Sequence, residues 1–300
     1  MIKLPSGVDI KNLVDNLRSF SWEASETLLH YAQILKDSNN KSNILRNCDD
    51  EDPVTLADLK VNELIIRKIK QSYKNINWEI LSEENVKSEN YSLNRDADWI
   101  WVFDPLDGTK DFIQGTSNYA MHLALNFKQK PYLGIVLVPE KEELWISCGE
   151  EVWCEKKDGS KIKPYLSKNK NLEDMILVTS KNHRNEVLKK LIQKIQFNDV
   201  KIMGSIGCKI TSIAKGESDI FLSLSLPGKS SPKDWDFAAP LAILKAAGGA
   251  ITNIDNEELC FGKSNFEQGG IIVATNNSDN HKEICLKIKE IIEKFNLYPL

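Results

Sequence analysis

Trp101-Val102-Phe103-Asp104-Pro105-Leu106-Asp107-Gly108-Thr109-Lys110-Asp111-Phe112 is the stretch on which the reading of this chain turns. In it an apolar strand runs directly into two carboxylates three residues apart. Pro105 keeps a helix from starting at once and Gly108 lets the backbone turn tightly, so both acids can converge at the strand end. Hard oxygen ligands at such a turn suit Mg²⁺, which is commonly held by a few carboxylates together with substrate phosphate. The amides of Gly108, Thr109 and Lys110 would then open a helix and present N–H groups to an anion. A turn with an Asp cap explains the bare Asp-Pro-x-Asp-Gly pattern equally well, so the rest of the chain has to discriminate.

Around this stretch the apolar periodicity divides the sequence. Ile10, Leu13, Val14 and Leu17, then Ala24, Leu28, Tyr31, Ala32 and Leu35, repeat at three and four residues, as do Ala57, Val61, Leu64, Ile65 and Ile69. Two long amphipathic helices are therefore predicted before the first strand, separated by a polar, irregular segment over 39–50. Short β-rich runs follow at 76–81, 99–103, 119–127, 133–138, 144–147 and 152–155, with hairpin spacing after Asn126, as in a mostly antiparallel sheet packed on helices. Beyond a lysine-rich stretch, strand and helix alternate: strand 176–179, helix 186–195, strand 201–203, helix 208–215, strand 219–222, helix 234–247, strands 250–252 and 270–274, and a last helix on Ile284, Ile288, Ile291, Ile292 and Phe295. That pattern reads as an α/β lobe. The predicted division is an N-terminal α+β lobe over 1–165 and a C-terminal α/β lobe over 166–300, with the boundary where charge is high and periodicity lapses.

Composition narrows the function. The chain has 300 residues, 41% hydrophobic and 27% charged, with a formal net charge of -4, ordinary values for a globular protein and not for a disordered one. The longest apolar stretch, 238–244, contains Pro240 and is far short of the roughly 18 residues of a membrane span. Residues 1–13 lack the apolar block of a secretory signal, so a cytoplasmic location is expected. The six cysteines contain no Cys-x-x-Cys pair, which favours reduced, packed thiols. Basic residues are dense only around Lys156, Lys157, Lys161 and Lys163, which speaks against a nucleic-acid surface.

Three further acidic features stand near element ends. Ile80-Leu81-Ser82-Glu83-Glu84-Asn85 ends an apolar strand, and Glu83 reaches the same point as Asp104 if strands 76–81 and 99–103 are neighbours; alone, such a pair reads as a solvated loop. Thr55 and Asp58 have the spacing of a capping box at the start of the second helix. Asp234-Trp235-Asp236 opens an Ala-rich helix, where one Asp suffices as a cap and the other is left for chemistry.

Taken together, Val54-Thr55-x-Ala57-Asp58, Ser82-Glu83-Glu84, Asp104-Pro-Leu-Asp107-Gly-Thr109 and Trp235-Asp236-x-Ala-Ala followed by Ala-Gly-Gly resemble the lithium-sensitive, magnesium-dependent phosphatase superfamily of inositol monophosphatases and 3'(2'),5'-bisphosphate nucleotidases. The motifs occur in order across nearly the whole chain. Lys110 after Thr109 resembles the nucleotidase (CysQ-type) branch. Lys181-Asn-His183-Arg184 and Gly204-Ser205-x-Gly207-x-Lys209 are similar to segments that face the nucleotide in that branch, although His183 alone reads as a surface residue and Lys209 as a solvated helix lysine. Asp111 stands where Glu is common and Pro240 where Gly is frequent.

The resemblance implies an α+β fold, a layered αβαβα sandwich of two lobes. It implies Mg²⁺ held by Glu83, Asp104 and the Leu106 carbonyl at one position and by Asp104, Asp107 and Asp236 at a second, with a third, weaker ion on Glu83 and with Mn²⁺ able to substitute. Asp58 and Thr109 would orient and help deprotonate the attacking water, while Gly108, Thr109, Lys110, His183, Ser205 and Lys209 would contact substrate. The implied reaction removes the 3'-phosphate of adenosine 3',5'-bisphosphate to give AMP and phosphate, and extends to 3'-phosphoadenylyl sulfate. An inositol monophosphatase or other sugar-phosphate phosphatase is the alternative within the superfamily. A phosphate-sensing module without turnover is disfavoured, because binding alone does not need Asp58 and Thr109. The expected partner is a small nucleotide bisphosphate, with no nucleic acid and no membrane span, and the chain a monomer or homodimer.

Overall fold

The computed structural model describes residues 3–36, 45–47, 54–88, 91–180 and 185–299. Helix α1 (Ile10–Lys36) is as long as its periodicity predicts. The expectation of two helices before any strand needs correcting: β1 (Leu45–Asn47) and β2 (Val54–Thr55) pair antiparallel ahead of α2 (Leu56–Ser72). Runs of two or three residues are too short to show a period, which is why pattern reading passes over them.

A seven-stranded sheet follows, in the order β3 (Glu79–Ser82), β4 (Trp99–Asp107), β5 (Ala120–Phe127), β6 (Lys130–Val138), β7 (Glu143–Cys148), β8 (Glu151–Lys156) and β9 (Lys161–Ile162). It is antiparallel except for the parallel pair β3 and β4, which places the ends of those two strands side by side. The β5–β6 hairpin closes through Lys128 and Gln129, both at positive φ (48° and 62°), as a tight two-residue turn requires. Strand β9 lies inside the lysine-rich stretch, where no strand is predicted.

The second sheet has the order β11 (Asp199–Ile202), β10 (Ile176–Thr179), β12 (Ile220–Leu224), β14 (Ile271–Thr275) and β13 (Ala250–Asn253). Its first three strands are parallel and β14 joins antiparallel. Helix α5 (Glu186–Ile195) and helix α7 (Asp234–Ala247) have the bounds that the sequence predicts. Helix α6 (Ile206–Ala214) begins two residues early, and α8 (Ser278–Lys294) extends well upstream of its apolar stripe.

Burial gives the layering. Trp101, Phe103, Met121 and Leu123 of the first sheet pack on Leu13, Leu17 and Leu28 of α1 and Ile65 of α2. Alternate residues Ile100, Val102, Ala120 and Ala124 pack instead with Ile210 of α6 and Phe237, Ala238 and Ile243 of α7, which also meet Val178, Phe221 and Ile272 of the second sheet. The far face of that sheet, with Leu177, Ile220 and Val273, is covered by Leu188 and Leu191 of α5 and Ile284 and Ile288 of α8. The order is helix, sheet, helix, sheet, helix. Strand β4 is buried along its whole length, and its first five residues, Trp99 to Phe103, read as an unbroken apolar run before the two acids. Each large apolar side chain enclosed this way contributes roughly 1.5–3 kcal/mol.

No helix among the described residues is long and apolar enough to cross a membrane. The described cysteines, Cys148, Cys154, Cys208, Cys260 and Cys285, are unbridged, as reduced thiols require; Cys48 lies outside the described residues.

Candidate active site

In a regular strand, residues three apart point to opposite faces. Asp104 and Asp107 do not. Asp104 pairs with His122 and Asp107 with Ala120, so β4 carries one residue more than β5 over that interval, and the extra residue at Pro105-Leu106 forms a bulge. The bulge cancels the alternation and turns both acids to one side. There Asp236, from the first turn of α7, joins them, and carboxylate oxygens of Asp104, Asp107 and Asp236 all lie within 4.8 Å of one another. The strand thus runs past Phe103, where the sequence places its end, and the pairing with β5 continues through Asp107.

Glu83 starts the short helix α3 (Glu83–Val86) directly after β3, which lies beside β4 as supposed. Its carboxylate is 3.4 Å from Lys87 Nζ. Burial pushes Glu83 up to about 8, against the pull of Lys87 and with further upward push from Glu84, Asp236 and Asp58. Asp104 is held well above the usual carboxylate range by burial and by Glu83, Asp107 and Asp236. Asp236 is raised to about 7 by burial and by Asp107, although the Lys233 amide donates to its Oδ2 at 2.5 Å. The other acid of that turn, Asp234, accepts from Gly262 N (2.7 Å) and Gln268 Nε2 (2.6 Å) and belongs to the scaffold.

Asp107 differs. Burial alone would raise it, but His122, Lys209 and Ser205 bring it down to about 2. Its Oδ2 accepts from Ser205 Oγ (2.6 Å) and Gly207 N (3.1 Å), at the N-terminus of α6. Ser205 also caps α6 by accepting from Cys208 N (3.1 Å), and does so at φ +34°, an unusual conformation for a residue other than glycine. Lys209 is 3% exposed, with Nζ 5.1 Å from the Phe221 ring centroid, so the solvated-lysine reading does not hold.

Asp58 does form the predicted capping box, its Oδ2 accepting from Thr55 N (2.8 Å) and Thr55 Oγ1 (2.5 Å). Its other oxygen faces Thr109 Oγ1 at 3.5 Å, the outer limit of a hydrogen bond. The Thr109 hydroxyl also contacts the Leu106 carbonyl at 3.0 Å. Burial pushes Asp58 up to about 7 despite the Thr55 hydrogen bond. Gly108 caps helix α4 (Thr109–Ile113) at φ +90°, where a Cβ would lie 2.9 Å from Asn118 O. Lys110 follows in the first turn of α4. His183 lies outside the described residues.

Two groups escaped the sequence reading. Asn62, one helical turn after Asp58, accepts from Ser82 Oγ (2.6 Å) and donates to Asn85 Oδ1 (2.9 Å), bracketing the helix that carries Glu83. His122 sits behind Asp107, and its signal was a lone polar ring between Ala120 and Ala124 on the inward face of β5.

A helical layer between two sheets, with carboxylates gathered where a buried strand bulges, is an arrangement that could hold a metal ion. The sequence profile of the inositol monophosphatase family matches residues 10–293, and the chain belongs to that family. A Buchnera aphidicola protein named 3'(2'),5'-bisphosphate nucleotidase CysQ is 33% identical over 202 residues, 67% of this chain and 71% of that one. A Thermotoga maritima protein named fructose-1,6-bisphosphatase/inositol-1-monophosphatase is 26% identical over 256 residues, 84% of this chain and 88% of that one. Among solved structures, a Thermotoga maritima IMPase superposes with a TM-score of 0.72 at 22% identity, covering 94% of this chain and 99% of that one, which is a likeness of fold.

Proposed function

We propose that this phosphatase removes the 3'-phosphate of adenosine 3',5'-bisphosphate to give AMP and phosphate, and acts also on 3'-phosphoadenylyl sulfate. The observation that carries the reading is the meeting of Asp104, Asp107 and Asp236 oxygens within 4.8 Å, with Thr109 and Asp58 alongside. The donor set fits Mg²⁺: the ligand atoms are hard oxygens, and burial together with mutual repulsion holds Asp104 and Asp236 above their ordinary range, which a cation would offset. Asp104, Asp107 and Asp236, with Glu83 and the Leu106 carbonyl, would hold two Mg²⁺ ions; a third would use Glu83, and Mn²⁺ would substitute. Bound there, the cations would offset the phosphate oxygens and the charge of the leaving 3'-oxygen.

The remaining work falls to the chain itself. Asp58, poised at about 7, suits a group that takes a proton from the attacking water near neutral pH, and Thr109 holds that water in line. Lys110 and the amides of Gly108 and Thr109, with Ser205 and Lys209 on α6 and His183, bind the nucleotide and its phosphates. Ligands from 1–165 and Asp236 from 166–300 make the site a junction of two lobes. The nucleotide assignment is supported by the 33% identical nucleotidase relative and by Lys110 after Thr109.

A second reading, a sugar-phosphate phosphatase, is favoured by the longer match to the Thermotoga protein. Phosphate release with Mg²⁺ from adenosine 3',5'-bisphosphate, 3'-phosphoadenylyl sulfate, inositol 1-phosphate and fructose 1,6-bisphosphate separates the two. The nucleotide bisphosphate is expected to lead in kcat/KM, and a lead of about tenfold or more for either sugar phosphate overturns the nucleotide assignment.

A further inference from the structure

His122 is fully buried on β5, and its ring touches two elements of the site. Nε2 lies 3.2 Å from Asp107 Oδ2, a close polar contact without the alignment of a hydrogen bond. Nδ1 lies 3.3 Å from the backbone oxygen of Trp235, the residue before Asp236. Space for the ring is left by Gly207: a Cβ there would fall 2.2 Å from Nε2. The flanking Ala120 and Ala124 are equally accommodating, so α7 approaches the sheet closely at this one imidazole.

Asp107 and Asp236 are carried by β4 and α7, and no local turn or cap fixes the distance between them. The His122 ring spans the two elements, touching Asp107 on one side and the Trp235 carbonyl, one residue before Asp236, on the other. Ser205 and Gly207 hold Oδ2 of Asp107 from the α6 side, while His122 approaches the same oxygen from β5 and ties it to the first turn of α7. We infer that His122 is a positioning residue, which braces Asp107 against α7 and so sets the spacing at which Asp107 and Asp236 receive a shared divalent cation. This rests on the metal assignment proposed above. Groups that orient a metal's carboxylate or imidazole ligands typically change metal affinity by about 10–100-fold when lost.

The test is Mn²⁺ binding to the full chain by calorimetry, alongside thermal unfolding and the Mn²⁺ dependence of phosphate release. His122→Phe keeps a ring and loses both polar contacts. His122→Asn places its amide near the Nδ1 position and keeps only the Trp235 contact, whereas His122→Gln reaches the Nε2 position and keeps only the Asp107 contact. Kd for Mn²⁺ is expected to rise about 10–100-fold in the Phe and Asn variants and to return most of the way in the Gln variant. Activity in all three is expected to recover at saturating Mn²⁺, because a positioning residue alters the metal requirement and not the chemical step. A residue that only fills the core would shift the unfolding midpoint and leave Kd alone. Wild-type Kd in the folded Phe or Asn variant overturns the inference, as does a Gln variant that binds no better than Asn; should Phe fail to fold, the Asn and Gln pair decides. Failure of the wild-type chain itself to bind Mn²⁺ overturns the metal assignment and this inference together.

Discussion

Asp104 and Asp107 leave the same strand three residues apart and reach the same point, yet they stand in opposite electrostatic surroundings. Asp107 is met by Ser205, the Gly207 amide, His122 and nearby Lys209, and is pulled down to about 2. Asp104 has the Leu106 amide at 3.0 Å and otherwise faces Glu83, Asp107 and Asp236, and burial together with these acids holds it well above the ordinary range. The protein itself offsets the charge of Asp107 more fully than that of its neighbours, of which Glu83 has Lys87 at 3.4 Å. Such an arrangement fixes where the first negative charge stands and makes the remaining ones conditional on a cation.

The largest expected effect concerns what the two acids share. Asp104→Asn and Asp107→Asn should each cut Mg²⁺-dependent phosphate release to less than about a hundredth, beyond the loss expected of a group that only orients a ligand. Substantial turnover in either variant returns that acid to a structural role. Asp58→Asn should lower kcat by about a hundredfold or more, the scale of a general base, with KM little changed because Asn still accepts from the Thr55 amide. An unaltered kcat would leave Asp58 as a cap and nothing else.

Stability should then separate the two acids. In the metal-free protein, Asp107→Asn weakens the charge-assisted hydrogen bonds from Ser205 and Gly207 and removes the largest of the acidic charges that support buried Lys209, and should cost about 1.5–3 kcal/mol in denaturant unfolding. Asp104→Asn at pH 8 relieves repulsion and should leave the unfolding midpoint unchanged or higher. Equal losses for the two would break the contrast.

The smallest effect is one of pH. Asp58, Asp236 and Glu83 have folded values raised to about 7, 7 and 8, above the range they occupy in an unfolded chain. A raised folded value means that stability is complete below the unfolded range and is lost as pH rises through the folded one. The melting temperature of the metal-free protein should therefore fall as pH rises from about 4 to about 8 and level off above that, and saturating Mg²⁺ should flatten the fall. Asp107 works in the reverse sense: its contribution disappears only in strong acid, as pH drops through the ordinary Asp range toward about 2. A metal-free melting temperature that climbs from about pH 4 to about pH 8 would contradict the assignment of burial, reinforced by repulsion, to the first group.

The layered fold was legible because its elements are long and periodic. Helix α7 and helix α5 have the predicted bounds, and the strands of the first sheet lie close to where their apolar runs placed them. What was lost is short or depends on distant partners. Strands β1, β2 and β9 are too brief to show a period, and the polar first turns of α8 carry no apolar stripe. The acids Asp58, Glu83, Asp104, Asp107 and Asp236 stood out because each adjoins an element end. The bulge at Pro105-Leu106 did not, since it exists only relative to β5. His122 was invisible for a similar reason: on one strand it is a polar residue in an apolar run, and its meaning comes from a carboxylate on β4 and a carbonyl on α7.

Helix α7 is packed on both sides by a sheet, so it is the part of this architecture with the least freedom to drift. Anchoring Asp236 there gives the proposed metal site a fixed keel. The spacing of the three carboxylates is then set by the most enclosed layer of the molecule and not by the loops at its rim.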